Sequence, residues 1–139
     1  MLDKIFLFAG EHFFLVTTFI LLLGVFFYTE MLRGGETVSP QQLANLINKE
    51  DALVIDLRSG DAFRKGHIHG SENVPEDKFD GELARLEKLD GRPIILVCEL
   101  GSHSAAAGRK LLTKKVKRVY RLKGGIDAWL AGRLPLVKG

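Results

Sequence analysis

Ile94-Ile95-Leu96-Val97-Cys98-Glu99-Leu100-Gly101-Ser102-His103-Ser104 runs directly into Ala105-Ala106-Ala107-Gly108-Arg109-Lys110-Leu111-Leu112. The first four residues are a continuous apolar run, delimited upstream by Gly91 and Pro93, and they read as a strand buried on both faces. The alanine-rich stretch carries helical periodicity, placing a helix over 102–113. Cys98 therefore lies where the carboxyl end of a strand meets the N-terminus of a helix. Unpaired amides and the helix dipole at such a junction stabilise a sulfur anion and raise the share of nucleophile. Gly101 permits the backbone conformation that a cradle of amides requires. A cysteine at a strand end is also commonly an inert packing residue, so position alone leaves both readings open.

Working outward, Ala52 to Leu57 reads as a second buried strand and Val119 to Leu122 as a third. Helical patterns cover 40–48, introduced by Ser39-Pro40 as N-cap and first helical residue, then 81–89 and the short 126–131. Alternating strands and helices indicate an α/β fold with an open parallel sheet, whose ligands sit at the carboxyl ends of the strands.

The 139 residues leave room for one such domain, from about residue 36 to residue 139, plus an appendage. The appendage is apolar. Phe13 to Tyr28 reads FFLVTTFILLLGVFFY, and the segment from about 12 to 29 would extend about 27 Å as a helix, close to the hydrocarbon thickness of a bilayer. Residues 1–35 are thus expected to be one transmembrane helix with a Gly34-Gly35 hinge. A cleaved signal peptide is the competing reading, but the apolar core is long, the MLDK leader weakly basic, and no small-x-small site follows. Arg33 and a Lys/Arg-rich domain follow the span while Lys4 alone precedes it, which favours a cytoplasmic C-terminal domain on the bacterial inner membrane. The single cysteine cannot form an internal disulfide and suits a reducing compartment.

Four segments together resemble the rhodanese family of sulfurtransferases, covering about Val38 to Leu136. Val54-Ile55-Asp56-Leu57-Arg58 is similar to its strand ending in Asp-x-Arg. Gly66-His67-Ile68-His69-Gly70-Ser71-Glu72-Asn73-Val74-Pro75 resembles its G-H-I-x-G-[AS]-x-N-[IV]-P signature. Cys98-x-x-Gly101-x-His103-Ser104 resembles the active-site loop, and Leu122-Lys123-Gly124-Gly125-Ile126-Asp127-Ala128-Trp129 the C-terminal L-x-G-G-x-x-A-W. The layout of one span and one domain resembles the YibN-like members. The resemblance implies a five-stranded parallel sheet flanked by helices and no metal or organic cofactor. It also implies double displacement, in which Cys98 takes sulfane sulfur from a donor and passes it to a thiol or other nucleophilic acceptor, small molecule or protein. The resting anion would be held by the loop Glu99, Leu100, Gly101, Ser102, His103 and Ser104.

One position departs from that pattern. Sulfurtransferases of the family very often carry arginine where this chain has His103, and a histidine ring is a single-point contact that is only partly charged near neutrality. Thiosulfate is then expected to be a poor donor, and a protein persulfide or other donor of low charge a better one. The same departure keeps open a second reading, a weakly active or silent domain serving as a membrane-tethered interaction module. The loop from Cys98 to His103 has six residues, the length the resemblance associates with sulfur rather than phosphate.

Asp56 and Arg58 end a strand and could either neighbour the cysteine pocket or brace loops. His67-x-His69 lacks further ligands at suitable spacing for a metal, and the resemblance makes His67 a loop-fixing residue. From Arg109 to Lys123 there are eight basic residues and no acidic one. This is either a solvated helix end or a contact for anionic lipid or an acidic partner protein. Only Tyr120 is available for stacking there, which disfavours nucleic acid.

Overall fold

The computed structural model describes residues 1–31, 34–89 and 91–139. Arg33, which enters the expected orientation of the span, lies outside the described residues. The chain divides into two compact units, Met1–Leu32 and Arg33–Gly139.

The first unit is two helices, α1 (Leu2–Glu11) and α2 (Phe13–Met31). They meet at His12, whose amide still bonds to the carbonyl of Phe8 at 3.0 Å while its own backbone leaves the helical region. The axes are bent by 97° there. α1 was not expected, because the helix was placed at about 12–29 and none was assigned before it. Among the described residues no single helix is long and apolar enough to cross a membrane, although Leu2–Glu11 and Phe13–Thr29 meet that criterion as a bent pair. Within α2 the hydroxyls of Thr17 and Thr18 donate to the carbonyls of Phe13 and Phe14, each at 2.8 Å, so the helix satisfies its own polar side chains.

The second unit is a five-stranded, wholly parallel sheet flanked by helices. Its strands are β1 (Glu36–Val38), β2 (Leu53–Asp56), β3 (Glu72–Asn73), β4 (Ile94–Val97) and β5 (Val119–Leu122), in the order β1-β5-β4-β2-β3. β2 and β4 are buried along their whole length, which is why they read as unbroken apolar runs. Their side chains alternate between two cores. Leu53, Ile55, Ile94 and Leu96 join Phe79, Leu86 and Leu111 on one face. Val54, Ile95 and Val97 join Leu43, Ile126 and Trp129 on the other.

The helices are α3 (Pro40–Glu50), α4 (Gly60–Lys65), α5 (Phe79–Glu87), α6 (Ser104–Thr113) and α7 (Gly125–Ala131). α3 opens with a capping box, Ser39 Oγ accepting from the Gln42 amide at 3.2 Å and Gln42 Oε1 accepting from the Ser39 amide at 2.8 Å. It runs to Glu50, two residues past its expected end, and stops where Asp51 turns left-handed. α5 begins at Phe79 and not at Gly81, because the 3-10 turn Glu76–Lys78 leads into it and Phe79 is buried. α6 begins at Ser104 and not at residue 102, so Ser102 and His103 belong to the loop. Gly34, one of the expected hinge residues, is buried, and a Cβ on it would overlap the backbone of Ala105, just as one on Gly108 would overlap that of Gly34. These two glycines let the chain entering β1 cross α6 at backbone contact.

Candidate active site

β2, β3 and β4 end at the same edge of the sheet, and the loops that follow them surround Cys98. Leu57, Arg58, Ser59 and Ala62 follow β2, Glu76 follows β3, and Glu99 and His103 follow β4. Together with Cys98 they line an open cleft of about 280 Å³. Cys98 is 3% exposed, so the sulfur is enclosed by its neighbours and reached through the cleft.

The loop folds back onto the sulfur. The amide of Gly101 donates to Cys98 Sγ at 3.0 Å, made possible by a left-handed φ of 91° at Gly101. Ser104, fully buried, donates its hydroxyl to the carbonyl of Gly101 at 3.0 Å and so ties the loop to the start of α6. Leu100, Ser102 and His103 are exposed.

The second support comes from the glycine pair at the start of α7. The amide of Asp127 donates to the carbonyl of Glu99 at 3.3 Å. Gly125 has a φ of 64°, and a Cβ there would overlap the carbonyls of Cys98 and Glu99. The Gly124-Gly125 pair is therefore the platform on which the cysteine loop rests.

Asp56 and Arg58 form a buried pair beside the cleft. Asp56 Oδ1 accepts from the amide and Nε of Arg58, both at 3.0 Å, and Oδ2 accepts from Nη2 at 2.8 Å. Nη2 also donates to the carbonyl of Gly66 at 2.7 Å. Burial alone would pull the arginine down, but the hydrogen bonds and charge of Asp56, with a smaller attraction from Glu99, outweigh it and hold the guanidinium above its ordinary range. Both residues thus brace the loop after β2, and Nη1 of Arg58 reaches within 3.9 Å of Glu99. His67 is not among the residues that line the cleft. Its ring stacks on Phe63 at 3.7 Å, Nδ1 lies 2.8 Å from the Phe63 carbonyl, and its backbone pairs with Val137.

A Rhodanese-like domain model matches residues 39–132. The chain belongs to the rhodanese-like family. Its rhodanese relatives include the uncharacterized protein YibN of Escherichia coli K12, 34% identical over 99% of both chains. Thiosulfate sulfurtransferase GlpE of Pseudoalteromonas translucida is 34% identical over 68% of this chain and 88% of its own. Among solved structures, a rhodanese-related protein from Thermoplasma volcanium superposes with a TM-score of 0.60, at 24% identity, over 75% of this chain and 99% of that one. That likeness shows the shared fold.

Two residues near the cleft had been given no role from the sequence. Asn73 donates Nδ2 to the carbonyls of Asp56, at 3.1 Å, and Arg58, at 2.9 Å, fixing β3 against the loop after β2. Glu76 faces His103, Nδ1 lying 3.2 Å from Oε2. Asn73 sits inside the G-H-I-x-G segment and was legible as a motif residue, but nothing local marked Glu76. In the basic stretch, Lys110 pairs with Asp80, Arg118 with Glu50, and Arg121 donates to the Gly35 carbonyl. Lys114, Lys115 and Lys117 are exposed at the end of the sheet opposite Cys98.

Proposed function

We propose that this chain is a membrane-anchored sulfurtransferase that carries sulfane sulfur as a Cys98 persulfide. The observation that carries the reading is the Gly101 amide donating to Sγ at 3.0 Å beneath an open cleft. That donor is placed before any substrate arrives, which is the condition for stabilising anionic sulfur without reorganisation. In the first half-reaction the Cys98 thiolate attacks the outer sulfur of the donor. The donor's S–S bond breaks, its electron pair leaves with the donor's remaining part, and a new S–S bond joins Cys98 to the transferred atom. In the second, an acceptor thiolate attacks that outer sulfur and Cys98 leaves as thiolate, so no oxidant or reductant is consumed.

The apolar bent pair of α1 and α2, whose threonines bond within their own helix, fits a membrane anchor, and the basic residues that follow it favour a bacterial inner membrane with the domain on the cytoplasmic side. The exposed Lys114, Lys115 and Lys117 would suit an anionic lipid surface or an acidic protein.

Mass spectrometry of the full chain after exposure to thiosulfate and to glutathione persulfide tests the central claim. One sulfur mass on Cys98, absent in Cys98→Ser, is expected. A thiol that takes sulfur from neither donor would turn the assignment to an interaction module.

A further inference from the structure

The cleft over Cys98 draws its charged side chains from three loops: Arg58 after β2, Glu76 after β3, and Glu99 with His103 after β4. Arg58 is committed inward, since its Nε and Nη2 are taken by Asp56 and the Gly66 carbonyl, and its Nη1 stands 3.9 Å from Glu99. Its charge is cancelled by Asp56 before any substrate arrives. His103 is committed too. Its Nδ1 stands 3.2 Å from Glu76 Oε2, an ion-pair contact whenever the ring is charged. The charged ring is neutralised by the same carboxylate. Glu99 adds a second carboxylate, and among the described residues that line the cleft the only cations are Arg58 and, when protonated, His103, each set against a carboxylate, while Lys65 and Lys78 line adjoining depressions.

We propose that Glu76 is the specificity-determining residue for the sulfur donor: by setting its charge against His103 and adding it to that of Glu99 in the cleft lining, it bars dianionic donors such as thiosulfate and reserves Cys98 for persulfides, R–S–SH. This deepens the sulfurtransferase reading and rests on it. A persulfide brings at most one negative charge and no oxyanion needing a fork of donors. Its transfer is balanced: the Cys98 thiolate attacks the outer sulfur, the donor's S–S bond breaks as a new S–S bond forms to Cys98, and R–S⁻ leaves to take a proton from water. Glu76 acts as a charge-setting residue, with the reacting atoms confined to Cys98 and the two sulfur compounds.

The test measures kcat/KM of the full chain for glutathione persulfide and for thiosulfate and follows their ratio, alongside sulfur loading of Cys98 by mass spectrometry. In Glu76→Gln the persulfide-to-thiosulfate ratio falls about tenfold, because one like charge facing a dianion is removed. In Asp77→Asn, one residue along the same turn and outside the cleft, the ratio stays within about twofold, since a charge in open water is screened. A ratio unchanged in Glu76→Gln, or changed equally in Asp77→Asn, overturns the role of Glu76 and leaves the sulfurtransferase reading standing. Absence of sulfur on Cys98 from either donor overturns that reading and this one together.

Discussion

The carbonyl of Cys98 accepts the amide of Ile126 at 2.9 Å, so the cysteine loop hangs from the first turn of α7. The contact exists only because Gly125 lacks a side chain and adopts a left-handed φ. Gly125→Ala is expected to destabilise the domain by about 1–3 kcal/mol, the usual cost of a non-glycine residue in such a backbone position. Sulfur loading of Cys98 should fall by more than the unfolded fraction explains, because the loop is pushed off its platform. Thermal unfolding and mass spectrometry on the same sample separate the two effects. A variant that loads sulfur at the parental rate would show that the loop does not depend on this contact.

Replacing His103 by arginine places a permanent, fork-shaped cation at the rim of the cleft. Thiosulfate turnover should rise about tenfold, the effect of one added charge-assisted contact to an anion. Steady-state kinetics with thiosulfate decide it. Unchanged turnover would mean that position 103 does not meet the donor.

Asp56→Asn removes half of a buried ion pair and strands the Arg58 guanidinium, whose side chain is 8% exposed. The expected loss is about 3–5 kcal/mol, since an unpaired buried charge costs more than the pair contributed. The pH dependence has a definite sign. Arg58 holds its proton more tightly folded than unfolded, so its contribution is whole at every pH below the ordinary arginine range and is lost only as pH rises through it. Urea unfolding across neutral to mildly alkaline pH should therefore show no stability loss traceable to this pair. A drop that Asp56→Asn abolishes would contradict it.

Leu21 lies at the midpoint of the Phe13–Thr29 helix. Leu21→Arg should disfavour insertion by about 2.5–3.5 kcal/mol if that segment crosses a bilayer. The parent chain should stay with membranes after alkaline carbonate washing, while the variant is released or depleted. Release of the parent would remove the anchor from the functional account.

What the sequence disclosed, and what it withheld, follows from how local each feature is. β2 and β4 were legible because strands covered on both faces must be continuously apolar, and Gly91 with Pro93 marks where one begins. β3 was not legible. It is two polar residues, Glu72 and Asn73, and is a strand only because Ile55 and Asp56 lie alongside. β1 likewise depends on its pairing with Tyr120 to Leu122. The cysteine, its loop and the glycine pair were visible as spacing, yet the reason for the pair, carbonyls of Cys98 and Glu99 pressed against Gly125, is tertiary. Glu76 was hidden for the same reason, since its partner His103 arrives from another strand. The bend at His12 had no proline to announce it.

The enclosure of Cys98 has a further consequence for what the outside world can touch. A sulfur atom added to it extends the side chain by about 2 Å, enough to lift the new atom from the floor of the cleft toward its opening. The empty protein thus keeps its reactive atom sheltered from broad electrophiles, whereas the charged-up form holds out its cargo and not its carrier. Bulky alkylating reagents should for that reason label the loaded chain on the borrowed sulfur and leave the unloaded chain largely untouched.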